Sequence, residues 1–438
     1  MKKEHIFYLV LIIVGIIVGR FVYTNPIIRN SITANPLAPE ADVAREQDIE
    51  VDRLDNQPGS VISNDGEKYY EQSDVKTITD SYYSGRDMLT PKYDVKKYTI
   101  TYQTLDENER LLTIAAQLYV PVATENLDAP IYVFGSGTTG LDDKCAPSKE
   151  VIELANWGNY HAHMLSYAAQ GYIVLFPDYE GLNDIGRIHH YFVADLEGKT
   201  LLDGARAVYD FMSTYPQQNL SAQRSVFLAG YSQGGHAAYA GSDMHASYAP
   251  DVPLKGVIGY GSAMNIRRLL IENPRLAPYL VYAYKDLYGD VFDPKEILNE
   301  PWATDLENVI LTQCVSDVIA KLPNTQTAIY TPTFRDALEN NFVDSFQEVG
   351  KYVDTNNTGL RESEIPILVV EGALDTVVSP QTAREYVAAA CENGNKVEYL
   401  SLADANHYQT RQASFQESLD WMEKMMRGEE INSSCNSI

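Results

Sequence analysis

Short apolar runs alternate with segments of helical periodicity along most of the chain, and each apolar run is followed by a polar or glycine-rich loop. Apolar runs of this length, rich in β-branched and aromatic residues, are typical of buried strands in a parallel sheet. They lie at 131–134, 172–176, 225–229, 254–260, 365–370 and 396–400. Helical patterns are predicted at 150–169, at 196–212 and at the C-terminal end. The predicted fold class is therefore α/β, with a mostly parallel central sheet and helices on both faces.

Two longer β-rich runs, at 93–103 and 111–120, precede this alternation. An acidic turn separates them, so they predict an antiparallel hairpin that opens the sheet. Before them, residues 24–66 are polar, contain four prolines and have few aromatic residues. This composition is typical of a flexible linker, and we place the catalytic domain at 67–438.

The alternation stops for about a hundred residues between the runs at 254–260 and 365–370. This interval holds short helical patterns interrupted by prolines, and four tyrosines within ten positions at 279–288. A structureless loop of this length inside a compact domain would be unusual. The sequence therefore predicts an inserted helical cap at about 263–362, in which the tyrosines serve mainly for packing.

The first 23 residues have the pattern of an export segment. Two lysines near the start are followed by an unbroken apolar run at 6–19. That run is shorter than the ~20 residues that span a bilayer, but further apolar residues extend it, and no small-x-small cleavage site follows. Both a cleaved signal peptide and an uncleaved anchor, with residues 6–23 in the membrane, stay open. Either way we expect an exported protein that is extracellular, periplasmic or anchored to the outer face of a membrane.

The charge of the chain is strongly acidic. Among the 438 residues, 34 are Lys or Arg and 60 are Asp or Glu, which gives a net charge of -26. Such a surface repels phosphate groups, so nucleic acid and anionic lipid headgroups are not expected as partners. A saline habitat and ordinary solubility would both favour the same composition.

The candidate chemistry centres on residues 225–239, where a strand-like run leads into Gly-Tyr-Ser-Gln-Gly at 230–234 and then into an alanine-rich helical segment. A serine between two glycines at a strand-to-helix turn is a nucleophile elbow, because the sharp turn leaves no room for flanking Cβ atoms. We predict that Ser232 is the nucleophile. The backbone N–H of Gln233, at the start of the helix, is predicted to stabilise an oxyanion.

A serine nucleophile needs a base, and the base needs a carboxylate that orients it. In this arrangement the chain order is serine, acid, histidine. Asp375 follows the strand-like run at 365–370 and a short turn, so it is the predicted acid. His407 is the one histidine beyond it and is the predicted base. Asp404 is a weaker alternative for the acid, because it is too close to His407 to come from the preceding strand.

A glycine-rich loop at 135–140 follows the strand-like run at 131–134. This is where such a fold places its second oxyanion donor, and we assign that role to Thr138 or Gly137. The histidine pairs at 161 and 163 and at 189 and 190 do not have metal-ligand spacing with a third residue. No metal and no cofactor is therefore expected.

Several motifs accompany these residues. They are Gly-Thr-Thr-Gly at 137–140 with Cys-Ala-Pro-Ser at 145–148, Pro-Asp-Tyr-Glu-Gly at 177–181, and Glu-Gly at 197–198 with Leu-Asp-Gly-Ala-Arg-Ala at 202–207. Together with the spacing of the serine, acid and histidine, they resemble the secretory lipases of the fungal lipase A type and their bacterial relatives. The resemblance runs from about residue 131 to 421. It implies an α/β-hydrolase fold, ester hydrolysis and a helical cap over the site.

The sequence thus predicts an exported serine carboxylic-ester hydrolase, a lipase or esterase, that acts through an acyl-enzyme on a small-molecule ester or lipid. The elbow, with Gly235 as an additional glycine, and the cap depart from the family pattern. Long-chain lipids and short-chain or aryl esters therefore both stay open as substrates. Two alternatives are a serine peptidase of the same fold, which could anchor a peptide terminus at Glu153 or Glu180, and a non-catalytic binding protein.

The four cysteines are an even number in a chain predicted to be exported, so two disulfides are expected, with three connectivities. A bond between Cys391 and Cys435 would close a loop around His407. The other pair, Cys145 with Cys314, would tie the oxyanion loop to the cap. The family resemblance implies the same pairing.

Overall fold

The computed structural model describes residues 56–83, 86, 90–151, 156–184 and 186–437. The predicted export segment at 1–23 and the first part of the predicted linker lie outside these ranges. Across the ranges that are described, no helix combines the length and the apolar character needed to cross a membrane.

A single mixed sheet organises the described residues. Its nine strands are β1 (Val61–Tyr70), β2 (Asp94–Leu105), β3 (Leu111–Val122), β4 (Leu127–Gly135), β5 (Ile173–Pro177), β6 (Leu220–Tyr231), β7 (Leu254–Tyr260), β8 (Ile367–Gly372) and β9 (Val397–Leu402). Their order across the sheet is β1-β2-β3-β5-β4-β6-β7-β8-β9. The pairs from β1 to β5 are antiparallel, and those from β5 through β4 to β9 are parallel. The mostly parallel sheet and its opening hairpin, β2 with β3, are confirmed.

The linker predicted to extend to residue 66 ends earlier, because β1 begins at Val61. This strand pairs antiparallel with β2 at the edge of the sheet. Most of its side chains are exposed, so it lacks the apolar alternation that marks an inner strand. Its order comes from backbone pairing with β2, which composition does not reveal.

The helices that accompany the sheet are, in chain order, α1 (Gln72–Tyr82), α2 (Tyr160–Ala168), α3 (Ala194–Thr214), α4 (Gln233–Tyr248), α5 (Ile266–Glu272), α6 (Ala277–Tyr288), α7 (Pro294–Ile297), α8 (Leu306–Leu311), α9 (Val315–Lys321), α10 (Gln326–Ile329), α11 (Pro332–Asp336), α12 (Phe342–Ser345), α13 (Gln347–Thr355), α14 (Pro380–Glu392), α15 (Thr410–Ala413) and α16 (Phe415–Met426). Single turns of 3₁₀-helix occur at several connections, among them His407–Gln409.

Hydrophobic cores lie on both faces of the sheet, as the alternation of a strand requires. In β4, Ile131 and Val133 belong to a core shared with α3, α4 and α14. The intervening Tyr132 and Phe134 belong to a second core shared with α1, α2 and α16. Both sets of side chains are fully buried, which is why β4 has no polar position in this stretch.

The helix predicted at 150–169 is shorter than expected, since α2 begins only at Tyr160. Asn159, just before it, has a positive φ of 52°, which ends any helical path from the preceding residues. Glu150 instead accepts the backbone N–H groups of Trp157 and Gly158 at 3.1 and 2.9 Å. A side chain that binds backbone donors in this way competes with helix formation.

The interval between β7 and β8 is helical and runs from α5 to α13. We call it the helical insertion. It provides most of a further hydrophobic core, to which Tyr279 and Tyr284 contribute and which also includes residues 191–193 before α3. The Tyr279 hydroxyl donates to the backbone oxygen of Gln313 at 2.8 Å, and that of Tyr284 donates to Phe192 at 2.9 Å. These tyrosines are packing residues whose hydroxyls are satisfied by backbone oxygens.

Two disulfides are present, Cys145 with Cys314 and Cys391 with Cys435, as predicted. The first joins the loop after β4 to the residue that precedes α9 of the helical insertion. A backbone hydrogen bond of 2.8 Å from Val315 to Thr139 reinforces the same connection. The second joins α14 to the C-terminal segment.

Replacing Cys391 and Cys435 together by serine should destabilise the protein. The disulfide spans 44 residues, and loss of this loop constraint in the unfolded chain is worth about 4 kcal/mol. Urea unfolding of the variant and of the wild type measures the difference. Wild-type protein treated with a reductant is the control. An unchanged free energy of unfolding in the double variant would contradict the stabilising role of this bond.

Candidate active site

Ser232 occupies the turn between β6 and α4 in a strained conformation, with φ 55° and ψ -111°. The turn closes because its neighbours lack side chains. A Cβ on Gly230 would lie 1.9 Å from the carbonyl oxygen of Gly234, and a Cβ on Gly234 would lie 1.9 Å from that of Gly135. Strained backbone of this kind persists only where the surroundings enforce it, and it is concentrated at functional sites. This geometry is that of a nucleophile elbow.

The additional glycine of the elbow, Gly235, has a packing role. A Cβ there would lie 1.9 Å from Oγ of Ser262, in the loop after β7. That loop also holds Ala263, whose N–H donates to the carbonyl oxygen of Ser232 at 3.2 Å. Gly235 therefore allows α4 to lie directly against the loop that leads into the helical insertion.

Asp375 and His407 meet behind this turn and are both buried, with exposures of 5% and 4%. Oδ1 of Asp375 accepts the backbone N–H groups of Val377 and Val378 at 2.7 and 2.9 Å. Oδ2 accepts Nδ1–H of His407 at 2.7 Å. The carboxylate is thus fixed by the turn after β8 and in turn fixes the imidazole, whose neutral form then has its lone pair on Nε2. The alternative acid, Asp404, is exposed.

Ser232 and His407 line one cavity of about 190 Å³, together with Thr138 and Tyr408. The helical insertion closes much of the remaining wall, and it contributes Asn273, Arg275, Leu276, Val315, Ser316 and Ile319. An ester in this cavity would contact the serine, the histidine and the insertion at the same time.

The loop after β4 contributes only part of what was predicted of it. The backbone N–H of Gly137 donates to the hydroxyl of Tyr160 at 2.8 Å, so Gly137 is not available as an oxyanion donor. Thr138 lines the cavity, and its Oγ1 is hydrogen-bonded to the hydroxyl of Tyr191 at 2.7 Å. Gln233 is the first residue of α4, where backbone N–H groups have no partner within the helix.

Arg411, which was not predicted from the sequence, has a buried guanidinium next to the site. It lies 4.6 Å from the ring centroid of Tyr231 and 4.9 Å from that of Tyr160, and it donates to the backbone oxygen of Gly158 at 2.6 Å. Tyr231 also packs on His407, with ring centroids 4.9 Å apart. Arg411 therefore supports, through cation–π contacts, two tyrosines that pack around the candidate site. The one sequence signal for Arg411 was its position four residues after the predicted base His407.

A second missed residue is Glu371, at the buried end of β8. Its Oε1 accepts the N–H of Gly372 at 2.9 Å. Burial, followed by repulsion from the neighbouring Asp375 carboxylate, raises the pKa of Glu371 to about 10. Glu371 is therefore a neutral carboxylic acid at physiological pH.

One trio of side chains resembles a metal site, with ligand atoms of Glu107, Glu180 and His190 within 4.8 Å of one another. Arg187 already occupies it, since the guanidinium donates to Glu107 at 2.5 Å and to Glu180 at 2.9 Å. Although burial opposes ionisation, His190 and Arg187 hold the pKa of Glu180 below its ordinary value. The trio is a buried ion-pair network, and a cation would have to displace Arg187 from it.

Fold and site together define the class as the α/β hydrolases. A family model for the secretory lipases matches residues 160–434, and the chain belongs to this family of carboxylic ester hydrolases. Among its relatives is the secreted triacylglycerol lipase LIP3 of Malassezia globosa, which is 25% identical over 361 residues, or 78% of this chain and 74% of the relative. The predicted export agrees with the secreted state of such relatives.

Solved structures show the same fold. The rice cell wall degrading esterase LipA of Xanthomonas oryzae superposes with a TM-score of 0.65 at 18% identity, over 84% of this chain and 97% of that one. Lipase A of Candida antarctica in its closed state gives a TM-score of 0.61 at 18% identity, over 88% of this chain and 86% of that one. The family resemblance and the α/β-hydrolase fold are confirmed.

The buried acid Glu371 generates a prediction on stability. Its pKa is raised from 4.5 when unfolded to about 10 when folded, so between these values the folded state retains a proton that the unfolded state has released. The stability linked to this proton is complete below pH 4.5, falls progressively as pH rises above that value, and is fully lost above about 10. Glu371→Gln cannot ionise, so it should raise the free energy of unfolding more at pH 8 than at pH 5.

Urea unfolding at the two pH values tests this difference. Glu362→Gln, at an exposed position, is the matched control and should show the same small effect at both. An equal change for Glu371→Gln at pH 5 and pH 8 would mean that Glu371 is ionised in the folded protein.

Proposed function

We propose that this chain is an exported serine carboxylic-ester hydrolase in which Ser232, His407 and Asp375 act as a catalytic triad. The observation that carries the proposal is the 2.7 Å hydrogen bond between His407 and Asp375, in the wall of the cavity that also holds the strained Ser232. The three residues have distinct tasks as nucleophile, base and orienting acid. The helical insertion is proposed to act as a cap, because it forms much of the cavity wall.

In the proposed mechanism, Oγ of Ser232 attacks the ester carbonyl while Nε2 of His407 accepts the hydroxyl proton. Asp375 stabilises the imidazolium and remains ionised. The tetrahedral intermediate places its oxyanion at the backbone N–H groups of Gln233 and Thr138, at the N-terminus of α4. When the intermediate collapses, His407 returns the proton to the leaving alcohol and an acyl-enzyme forms. Water then repeats the sequence and releases the carboxylic acid.

The peptidase alternative has little support from the described residues. A peptidase that recognises a peptide terminus needs a charged group free to bind it. Glu180 is buried and is engaged by Arg187 and His190, and Glu153 lies outside the described residues. A binding protein without activity would not need a strained serine beside a paired histidine and aspartate.

The size of the cavity favours short acyl groups. Its volume is about 190 Å³, whereas pockets that enclose a drug-sized ligand are roughly 300–1,000 Å³. A long acyl chain fits only if the insertion moves away from the core. We therefore propose short-chain esters as the preferred substrates of this conformation.

Ser232→Ala should lower ester turnover by roughly 10⁴-fold or more, and His407→Ala by a similar factor, because both remove the same catalytic unit. The double variant should be little slower than either single variant. Turnover of p-nitrophenyl butyrate, with circular dichroism to confirm folding, measures all three. Near wild-type turnover in either single variant would refute the triad.

A series of p-nitrophenyl esters tests the substrate proposal. We expect kcat/KM for the butyrate to exceed that for the palmitate by at least about tenfold, since each excluded methylene costs transition-state binding. Leu276→Ala enlarges the cavity and should shift the substrate preference towards longer acyl chains. Equal kcat/KM for butyrate and palmitate in the wild type would show that the cavity does not set chain length.

A further inference from the structure

Gln233, whose backbone N–H is the proposed oxyanion donor, has its side chain in a buried polar network. Its Nε2 donates to Oε1 of Glu197 at 2.7 Å and to Nε2 of His189 at 2.7 Å. Nδ1 of His189 in turn donates to the carbonyl oxygen of Glu180 at 3.0 Å. Burial lowers the pKa of His189, which agrees with a neutral ring that donates at Nδ1 and accepts at Nε2. Each partner therefore has a defined donor or acceptor role.

The second carboxylate oxygen of Glu197 binds His236, which lies one turn after Gln233 on α4. Oε2 of Glu197 lies 2.6 Å from Nδ1 of His236, and Nε2 of His236 lies 2.6 Å from the carbonyl oxygen of Asn356. The carbonyl oxygen of Asn356 can only accept a hydrogen bond, so Nε2 of His236 carries a proton. The contact between Oε2 of Glu197 and Nδ1 of His236 holds a second proton, because two acceptors cannot bind each other without one. One carboxylate thus holds both Gln233 and His236, and His236 links α4 to the end of the helical insertion.

The close packing of α3 against α4 allows Glu197 on α3 to reach Gln233 and His236 on α4. Gly198, next to Glu197 on α3, faces α4 so closely that a Cβ there would lie 2.6 Å from Sδ of Met244 and 3.0 Å from the backbone nitrogen of Gly241. Glu197 and Gln233 are each 1% exposed. An ionisable group at this depth is costly unless its hydrogen bonds are complete, so the network tolerates few arrangements.

We propose that Glu197 is a positioning residue that aims the oxyanion-binding N–H of Gln233 through the side chain of Gln233. This inference rests on the proposed function. Gln233 directly follows the strained Ser232, and α4 begins with it. A clamp on the Gln233 side chain therefore fixes the first peptide unit of the helix. This positioning stabilises the transition state, because a preorganised N–H donor does not have to reorient when the oxyanion forms.

Three variants separate positioning from folding. Glu197→Leu removes the clamp and should lower kcat roughly 10²-fold with KM changed by less than about threefold, as expected for a misaligned transition-state contact. Glu197→Gln can still accept from Gln233 and can donate to His236, so it should keep kcat within about tenfold of the wild type. Gln233→Leu keeps the backbone N–H but loses the clamp, and should resemble Glu197→Leu.

The matched control is Asp243→Leu. Asp243 lies on α4, whereas Glu197 lies on α3, and the carboxylate of Asp243 accepts the backbone N–H groups of Gly359 and Arg361 at 2.7 and 3.1 Å. Its loss should reduce stability without a selective loss of kcat. Affinity for butylboronic acid, which forms a tetrahedral serine adduct, should fall with kcat in Glu197→Leu and stay unchanged in Asp243→Leu.

The double variant decides the route. If Glu197 acts through Gln233, the losses in Glu197→Leu and Gln233→Leu are not additive. Additive losses, unchanged kcat in either variant, or an equal loss in Asp243→Leu would overturn the proposal. If Glu197→Leu does not fold, Gln233→Leu alone must show the loss of kcat. Ser232→Ala is assayed alongside, and activity retained there would refute the proposed function itself.

Discussion

The close approach of α4 to β4 at the serine turn is the constraint on which the rest of the site depends. Gly234 contacts the backbone of Gly135 directly, so the N-terminus of α4 and the loop after β4 face the same small volume. This approach holds Ser232 at a positive φ directly after β6, where it lines the cavity. The other two residues of the proposed triad, Asp375 and His407, lie on the loops after β8 and β9.

The site is braced from several directions by contacts that do not touch a substrate. Arg411 supports Tyr231 and Tyr160, and the hydroxyl of Tyr160 accepts the N–H of Gly137 in the loop after β4. The bond between Cys145 and Cys314 ties the same loop to the helical insertion. Because the loop and the insertion share these fixed points, packing around the site sets their geometry at the cavity.

The sequence allowed the central strands, the hairpin, the insertion and the three candidate catalytic residues to be predicted, because each has a local signal. Residues 131–134 of β4 are an uninterrupted, buried apolar run, and Asp375 and His407 follow strands in the required order. The misses depend on contacts between distant residues. The exposed strand β1 is ordered by pairing with β2, and Gly137 is excluded as a donor by a tyrosine 23 positions away. Glu371 becomes a neutral acid only because it is buried beside Asp375.

The central claim, that Ser232 is the nucleophile, is tested most directly by covalent labelling with an alkyl p-nitrophenyl phosphonate. The account predicts one adduct per chain by intact mass, release of one equivalent of p-nitrophenolate, and location of the adduct on the peptide that contains Ser232. His407→Ala should label far more slowly. An adduct on a different residue, or rapid ester turnover by protein in which Ser232 stays unlabelled, would contradict the account.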